Sequence, residues 1–488
     1  MVNAIRKFFH LEERQASFKS EIIGGLVTFA AMIYILPVNS SILSSMGMSQ
    51  EGVFVSTALV SFLVTLIMGV FANYPIALSA GMGMNAYLAY TVCAQMGYSW
   101  QESMLLLLVN GIIFFCFTLT PLRRIIIEAI PVGLKAAISI GLGGFILFVG
   151  AQGCGLISDS STLVTLGDFS KPGVLLACLG ILLTLGLSAL RKQGIVSKLA
   201  VPIGLLVTAV VGVIWSSIIY SVSGSQQAFD SGLPIAPWLD EGLSWGANGL
   251  KDVIFFGALN GETDIGAMFK SIFTNVDGYI AIFTLIFVNL FDTTATLVTA
   301  GRDCGLLDKE GRLVNGQKAM VADAFGALIC GPLGTSTVTS FAESTVGISL
   351  GAKTGLSSCV TALLFLLAGF AFPVFSIFSY SSVNAIALVV VGLTIMSSSF
   401  KELASGDKTM LISGIMTFVT MILTYSLSNG MGIGMITYIV MKVFQGKAKE
   451  VSIPVYVIGL FFLLEFVITG ISNAILISSV NNLFQLRQ

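Results

Sequence analysis

The chain has 488 residues, 55% of them hydrophobic and 10% charged, with 24 Lys and Arg set against 25 Asp and Glu. Soluble domains carry about 25% charged residues, so a water-exposed fold of this size could not cover itself. A soluble enzyme is excluded, and nothing in the composition implies a nucleic-acid partner.

Residues 1–20 form a charged, somewhat amphipathic arm that lacks the apolar stretch and cleavage site of a signal peptide, so the first crossing itself directs insertion. Beyond it, Gly52 to Gln101, Thr354 to Phe400 and Thr409 to Met441 contain no Asp, Glu, Lys, Arg or His. A helix needs about 20 apolar residues to cross the hydrocarbon core, so each longer run holds two crossings and a break. Stretches such as Leu105 to Leu108 are apolar on every face, which excludes the alternation of an outer-membrane barrel. Breaks at Asn73-Tyr74-Pro75, Pro121, Lys171-Pro172 and Gln193-Gly194 give spans 21–43, 52–72, 78–97, 103–121, 135–153, 172–190 and 199–221 in the first half. The second half reads 278–300, 317–331, 341–351 with a short approach, 355–376, 382–400, 409–426 and 430–445. One more apolar stretch follows at 453–479.

These spans describe an all-α polytopic membrane protein of about 14 crossings. With the N-terminus in the cytoplasm, nearly all basic residues from Arg6 to Lys449 fall on the inner side, and only Lys171, Lys251 and Lys270 fall outside. The outer loop 223–277 is acidic instead. A multi-pass protein of the cell membrane, surrounded by lipid, is the expectation.

The chain lacks the usual marks of catalysis. Seven cysteines show no paired spacing, and His10 is the one histidine, so no metal site, cofactor or His relay is expected. Gly347-Ile-Ser-Leu-Gly-Ala-Lys-Thr354 resembles a P-loop but has Ala352 where the glycine before the lysine belongs. Thr345-Val-Gly-Ile348 echoes a potassium filter but occurs once and lacks the following Tyr-Gly.

Two carboxylates stand apart: Asp292 is the only charge between Asp277 and Arg302, and Glu343 the only one between Asp323 and Lys353. An acid at bilayer depth costs about 2.5 to 3.5 kcal/mol on insertion scales, so it persists where it pairs, protonates or meets substrate. Asp323, near Lys318 at the start of its crossing, reads as interfacial. Seven crossings per half make the halves inverted, as in many secondary transporters. Ala136 to Leu142 lies over Ala387 to Leu393 in a faint internal register, and the third and tenth crossings both begin with small or unwound sequence: Ser79-Ala-Gly-Met-Gly-Met-Asn85 and Gly334-Thr-Ser-Thr-Val-Thr-Ser340. Matching interruptions point to a midplane site. Glycines there allow close approach to a flat heterocycle, Asn85 offers an amide, and the Glu343 carboxylate can accept two N–H bonds from a nucleobase edge.

Tyr74-Pro-Ile-Ala-Leu-Ser-Ala-Gly-Met-Gly-Met-Asn-Ala-Tyr87, Phe287-Val-Asn-Leu-Phe-Asp-Thr-Thr-Ala-Thr-Leu297 and Gly334-Thr-Ser-Thr-Val-Thr-Ser-Phe-Ala-Glu-Ser344 resemble the signatures of AzgA-like purine permeases, within the nucleobase-ascorbate and uracil permease superfamily. The resemblance runs from Phe18 to about Lys449. It implies a seven-plus-seven inverted repeat with short strands at the interrupted helices 3 and 10. The expected core domain is 21–121 with 278–376, and the gate domain 122–222 with 380–446, leaving arm 1–20, outer loop 223–277 and C-terminal segment 447–488. It further implies import of adenine, guanine or hypoxanthine by proton symport, with the core moving like an elevator against a gate through which two copies can dimerise.

The expected substrate-site residues are Tyr34, Gly83, Asn85, Asn289, Asp292, Thr339, Ser340, Phe341 and Glu343. Glu343 and Asp292 are the expected proton-coupling residues. The chain departs from the family pattern at Asn289, where an acid is usual. Asn289 and Asp292 share a helix face, and Asn cannot take up a proton, so selectivity or coupling is expected to change there. An anion transporter or channel of the related seven-plus-seven fold is the alternative reading, and it is opposed by a site with two acids and no Lys or Arg. An intramembrane enzyme lacks a nucleophile with a neighbouring base.

Overall fold

Apolar runs become helices here because polar residues close their first turns. Ser17, Ser49, Ser99, Thr354, Asp407 and Ser426 each accept a backbone N–H at a helix start, satisfying a donor the helix itself leaves unpaired. The computed structural model describes residues 2–120, 123, 126, 129–161, 163–190, 194–223, 230–235, 249–260, 264–306, 313–404 and 406–467; the side chains of 2, 223, 258–260, 291, 292, 294, 295, 298, 299 and 302 lie outside that description.

The arm holds α1 (Val2–Phe8). The first crossing, read as 21–43, is one span from Phe18 to Ser44 with a short interruption between α2 (Phe18–Met32) and α3 (Ile35–Ser44). Pro37 has no N–H for the Ile33 carbonyl, four residues back, which accounts for the break. The second crossing is α4 (Gln50–Ile67), continued by a π-helical turn to Ala72. The third opens as strand β1 (Leu78–Ala80), then α5 (Met82–Ala86) and a π-helical stretch Tyr87–Cys93. Crossings four to seven are α6 (Trp100–Leu119), α7 (Val132–Gly153), α8 (Pro172–Ser188) and, after the turn α9 (Ile195–Lys198), α10 (Ala200–Ser223). An antiparallel hairpin, β2 (Ile157–Ser160) with β3 (Leu163–Leu166), joins the fifth and sixth; the sequence reading has no strands there.

The expected outer loop 223–277 is partly helical. Within it α11 (Ile265–Thr274), capped by Asp264, meets α12 (Val276–Asp303) at 89°. Then come α13 (Gly316–Leu333), strand β4 (Val338–Ser340), the one-turn α14 (Ser344–Ile348) and α15 (Gly355–Ala368). The eleventh crossing bends by 95° into α16 (Phe372–Phe375), which has Pro373 in its first turn. Helices α17 (Ser381–Ala404), α18 (Lys408–Leu423) and α19 (Leu427–Phe444) complete the second half. The extra apolar stretch forms α20 (Ile453–Val467), with Phe461 stacked on Phe283 of α12 at 4.0 Å; residues 468–479 lie outside the described residues. By length and apolarity seven helices can span a bilayer among the described residues, or nine if each bent pair counts as one span. The interrupted and shorter crossings account for the difference from the 14 read in the sequence.

The two halves interleave as a seven-plus-seven inverted repeat. One helical group joins α2 and α4 to α15 and α6 to α13, and a second joins α7 to α17 and α18 and α8 to α10. At the α7–α17 seam a Cβ on Gly143 would lie 2.6 Å from the Gly392 carbonyl oxygen, and one on Gly392 would lie 2.5 Å from that of Gly143. Gly392 falls inside the sequence register that overlays Ala136–Leu142 on Ala387–Leu393, so the equivalent helices meet backbone to backbone.

Burial sets two charges apart. Asp323 is fully buried, and Arg123, counted among the loop cations, is 2% exposed. Their side chains pair at 3.7 Å, Thr293 donates to Asp323 at 3.2 Å, and the Arg123 guanidinium lies 4.8 Å from the Phe114 ring centre. Breaking a buried pair from one side typically costs about 3 to 5 kcal/mol, because the other charge stays behind. Asp323→Ala is therefore expected to lower the thermal unfolding midpoint sharply in detergent, and the double variant Arg123→Met with Asp323→Leu to recover most of the loss. Equal losses in the single and double variants would refute that pairing role.

Candidate functional site

The site grows from the two interrupted crossings. β1 and β4 pair antiparallel, Leu78 opposite Ser340, Ser79 opposite Thr339 and Ala80 opposite Val338. Bonds from Phe341 N to Ala77 O at 3.1 Å and from Gly81 N to Thr337 O at 2.9 Å extend the ladder at both ends. Strand backbone needs such partners because lipid supplies none. Neighbouring hydroxyls strap β1 further: Thr65 Oγ1 donates to Leu78 O at 2.9 Å, and Ser79 and Ser61 share a 2.7 Å hydrogen bond. α5 and α14 thus start beside the strand pair, each following its own strand.

In front of this pair, between the two helical groups, lies a cavity of about 570 Å³. That is within the 300 to 1,000 Å³ range usual for small-molecule sites. Met82, Gly83, Thr339, Ser340, Phe341 and Glu343 form one wall, and Ser139, Leu142, Ile146, Val390 and Thr394 form the other. Gly83 is where the groups come closest: a side chain there would run into Leu142 of α7. Glu343 stands at the start of α14, half-buried, and Tyr34 at the break in the first crossing donates its hydroxyl to Glu343 Oε1 at 2.6 Å. Phe341 is 7% exposed, and the buried Ser340 hydroxyl has no hydrogen-bond partner among the described residues. Ser188, Ser197 and Lys198 line the rim, where Lys198 Nζ donates to Ser349 Oγ at 2.6 Å across the boundary between the groups. This rim shares a face with the arm, since Gly351 abuts Ser20.

The structure thus gathers Tyr34, Gly83, Thr339, Ser340, Phe341 and Glu343 of the expected site residues. Asn85 and Asn289 sit one layer behind. Asn85 Nδ2 donates to Asn39 Oδ1 at 3.0 Å and its own Oδ1 accepts the Ala86 N–H, so its amide faces away from the cavity. Asn289 Nδ2 donates to Thr337 Oγ1 at 3.1 Å, and its Oδ1 has no hydrogen-bond partner among the described residues. Asp292 lies within α12 with its side chain outside the described residues, although Thr296, four residues on, lines the cavity. The sequence reading missed Asn39, Lys198 and the Arg123–Asp323 pair. Asn39 carries a signal only as an amide in an apolar crossing, and Lys198 looks like any loop cation.

What this arrangement can do chemically is bind a flat, polar, largely apolar-faced molecule: an aromatic face at Phe341, a hydroxyl at Ser340 and a carboxylate acceptor at Glu343. Among the described residues no group of three or more His, Cys, Asp or Glu is placed to hold a metal ion.

Comparisons with known proteins agree with this architecture. Residues 19–433 match the family model described as "Permease family" (Xan_ur_permease). The guanine/hypoxanthine permease PbuG of Bacillus subtilis is 37% identical over 473 residues, which cover 95% of this chain and 99% of that one. The adenine permease AdeQ of Escherichia coli is 31% identical, covering 95% and 96%. Among solved structures, the transmembrane domain of the cyanobacterial bicarbonate transporter BicA superposes with a TM-score of 0.57 at 15% identity, covering 85% of this chain and 96% of that one. The murine anion transporter Slc26a9, in its inward-facing state, gives 0.60 at 13% identity, covering 88% and 69%. At such identities these two speak to the fold alone. With a match over most of its length and with relatives aligned nearly end to end, the chain belongs to the nucleobase-ascorbate and uracil permease family, among its AzgA-like purine permeases.

Proposed function

We propose that this chain imports purine nucleobases, adenine, guanine or hypoxanthine, by proton symport, with crossings 1–4 and 8–11 moving as a core against a gate of crossings 5–7 and 12–14. The observation that carries this reading is the Tyr34 hydroxyl held 2.6 Å from Glu343 Oε1 on the wall of a cavity that also presents Phe341. Guanine offers its adjacent N1–H and N2–H groups to a carboxylate, hypoxanthine its N1–H and adenine its N6 amine, and all three offer a π-face to an aromatic ring. The ring nitrogens and carbonyl meet the Ser340 hydroxyl and the first-turn amides of α5, which have no partner within their own helix. The names of the relatives support the purine class.

Coupling follows from the cost of a charge. A carboxylate carried through the membrane must be neutralised. On the outer side the Glu343 carboxylate meets the base and takes a proton; the neutral carboxyl then accepts an N–H at one oxygen and donates its O–H to a ring nitrogen from the other, and the neutral site moves. On the cytoplasmic side, which the basic arm marks by the positive-inside rule, the proton and base leave past Lys198. The cavity rim on the arm face fits an inward-facing arrangement. Gly83 keeps the sliding surface clear of Leu142.

Glu343→Gln is expected to bind purine but to lose uptake against a gradient and its dependence on external pH; concentrative uptake with an unchanged pH profile would refute the coupling role. Tyr34→Phe removes a hydrogen bond to a charged group, a class worth about 1.5 to 3 kcal/mol, so calorimetry should find purine affinity reduced by roughly tenfold or more. An affinity within about twofold of wild type contradicts the pairing. Asn289→Asp introduces the acid that the family resemblance implies at this position. It is expected to shift the pH dependence of uptake, and an identical profile argues against any special role for Asn289.

A further inference from the structure

Asn39 is not among the residues that line the cavity, yet it joins the two unwound segments that make the cavity wall. It lies on α3 just past the break in the first crossing and is fully buried. Its amide is saturated: Nδ2 donates to Thr57 Oγ1 at 2.8 Å and to Thr335 Oγ1 at 2.9 Å, while Oδ1 accepts from Asn85 Nδ2 at 3.0 Å and from Ser336 Oγ at 3.1 Å. An Asn side chain has two N–H donors and two lone pairs on oxygen, so every valence is used. All four partners are themselves fully buried, on α4, on α5 and on the extended approach to β4.

The proton arrangement is determined as well. Thr57 donates to the Val53 carbonyl at 2.6 Å, so in the 2.8 Å Thr57–Thr335 contact the donor is Thr335. Thr57 Oγ1 then accepts from both Thr335 and Asn39. Only a primary amide fits this position: Asp would place an acceptor where the Thr57 and Thr335 hydroxyl oxygens accept from Nδ2, and an apolar residue would strand the buried Asn85 amide and Ser336 hydroxyl without their partner.

We propose that Asn39 is the positioning residue of the transport site, setting the register of the third and tenth crossings against the first by acting through Asn85 and Ser336. In this account Asn85 serves as a strut between Asn39 and the start of α5, and the base is met by the wall residues that the strut holds in place. The binding part of the test rests on the purine reading above; the exchange part does not.

The test uses the full-length protein in lipid nanodiscs, with Asn39→Ala, the milder Thr335→Val, and Thr361→Ala as a control. Thr361 donates to the Gly25 carbonyl at 2.9 Å and ties α15 to α2 away from the strands. Hydrogen exchange without ligand should accelerate about tenfold at the amides of 78–80 and 338–341 in Asn39→Ala and about threefold in Thr335→Val, while Thr361→Ala leaves those amides unchanged even where it lowers the melting temperature. Guanine, hypoxanthine and adenine binding should weaken about tenfold in Asn39→Ala, and that penalty should shrink below about twofold in an Asn85→Ala, Ser336→Ala background. Unchanged exchange at the strand pair, or an equal binding penalty in both backgrounds, overturns the proposal. If Asn39→Ala does not fold, the Thr335→Val comparison decides it. If wild type binds no purine, the purine reading fails, and the exchange comparison alone decides the role of Asn39.

Discussion

Two chain segments that run as strands at bilayer depth must find every hydrogen bond inside the protein, and that requirement organises the molecule. β1 and β4 satisfy one another across the boundary between the two halves of the sequence, through three residue pairs and the two flanking bonds. Because lipid offers no substitute partner, the pair holds only if it is enclosed on all sides. The enclosing polar residues are correspondingly buried: Ser61 and Thr65 from α4, Asn39 from α3, Asn289 from α12 and Ser344 from α14. The cost of unwinding two helices is offset by this local network, and the gain is a binding wall made from helix starts and unwound backbone.

Glu343 belongs to that wall but differs from its neighbours. Behind the strands, Asn39, Ser61 and Thr65 have their hydrogen bonds met by other protein groups, whereas Glu343 lines the cavity with the Tyr34 hydroxyl as a side-chain partner. A polar layer with its bonds met holds its shape; a carboxylate on an open face can exchange partners. That division of labour suits a site that must stay rigid while its ligand and its charge change. Opposite it the second helical group presents Leu142, Ile146 and Val390, apolar surfaces that make no directional demand on a neighbour.

Much of this was legible in the sequence. The interruptions at Ser79–Asn85 and Gly334–Ser340 stand out because small and hydroxyl residues cluster where apolar ones should continue, and the solitary Glu343 marks the wall they build. Side-chain direction was less legible. Asn85 has the right chemistry and position for a ligand, but its amide turns to Asn39, a residue 46 positions earlier whose role no local pattern reveals. Burial of charge was hard to read for a similar reason. Arg123 and Asp323 each lie near a span end in sequence, and only tertiary packing against Phe114 and Thr293 encloses them. The helical α11 within an acidic loop and the hairpin β2–β3 escaped hydropathy because neither needs to be apolar enough to cross.

The central claim is that the Glu343 and Phe341 wall carries a purine base together with a proton. It is tested most directly by purified full-length protein in liposomes given a panel of radiolabelled adenine, guanine, hypoxanthine and xanthine under an imposed pH gradient, acid outside. The account expects saturable accumulation of at least one of adenine, guanine and hypoxanthine that collapses when a protonophore dissipates the gradient. Absence of uptake of any purine, or accumulation indifferent to the protonophore, would contradict it.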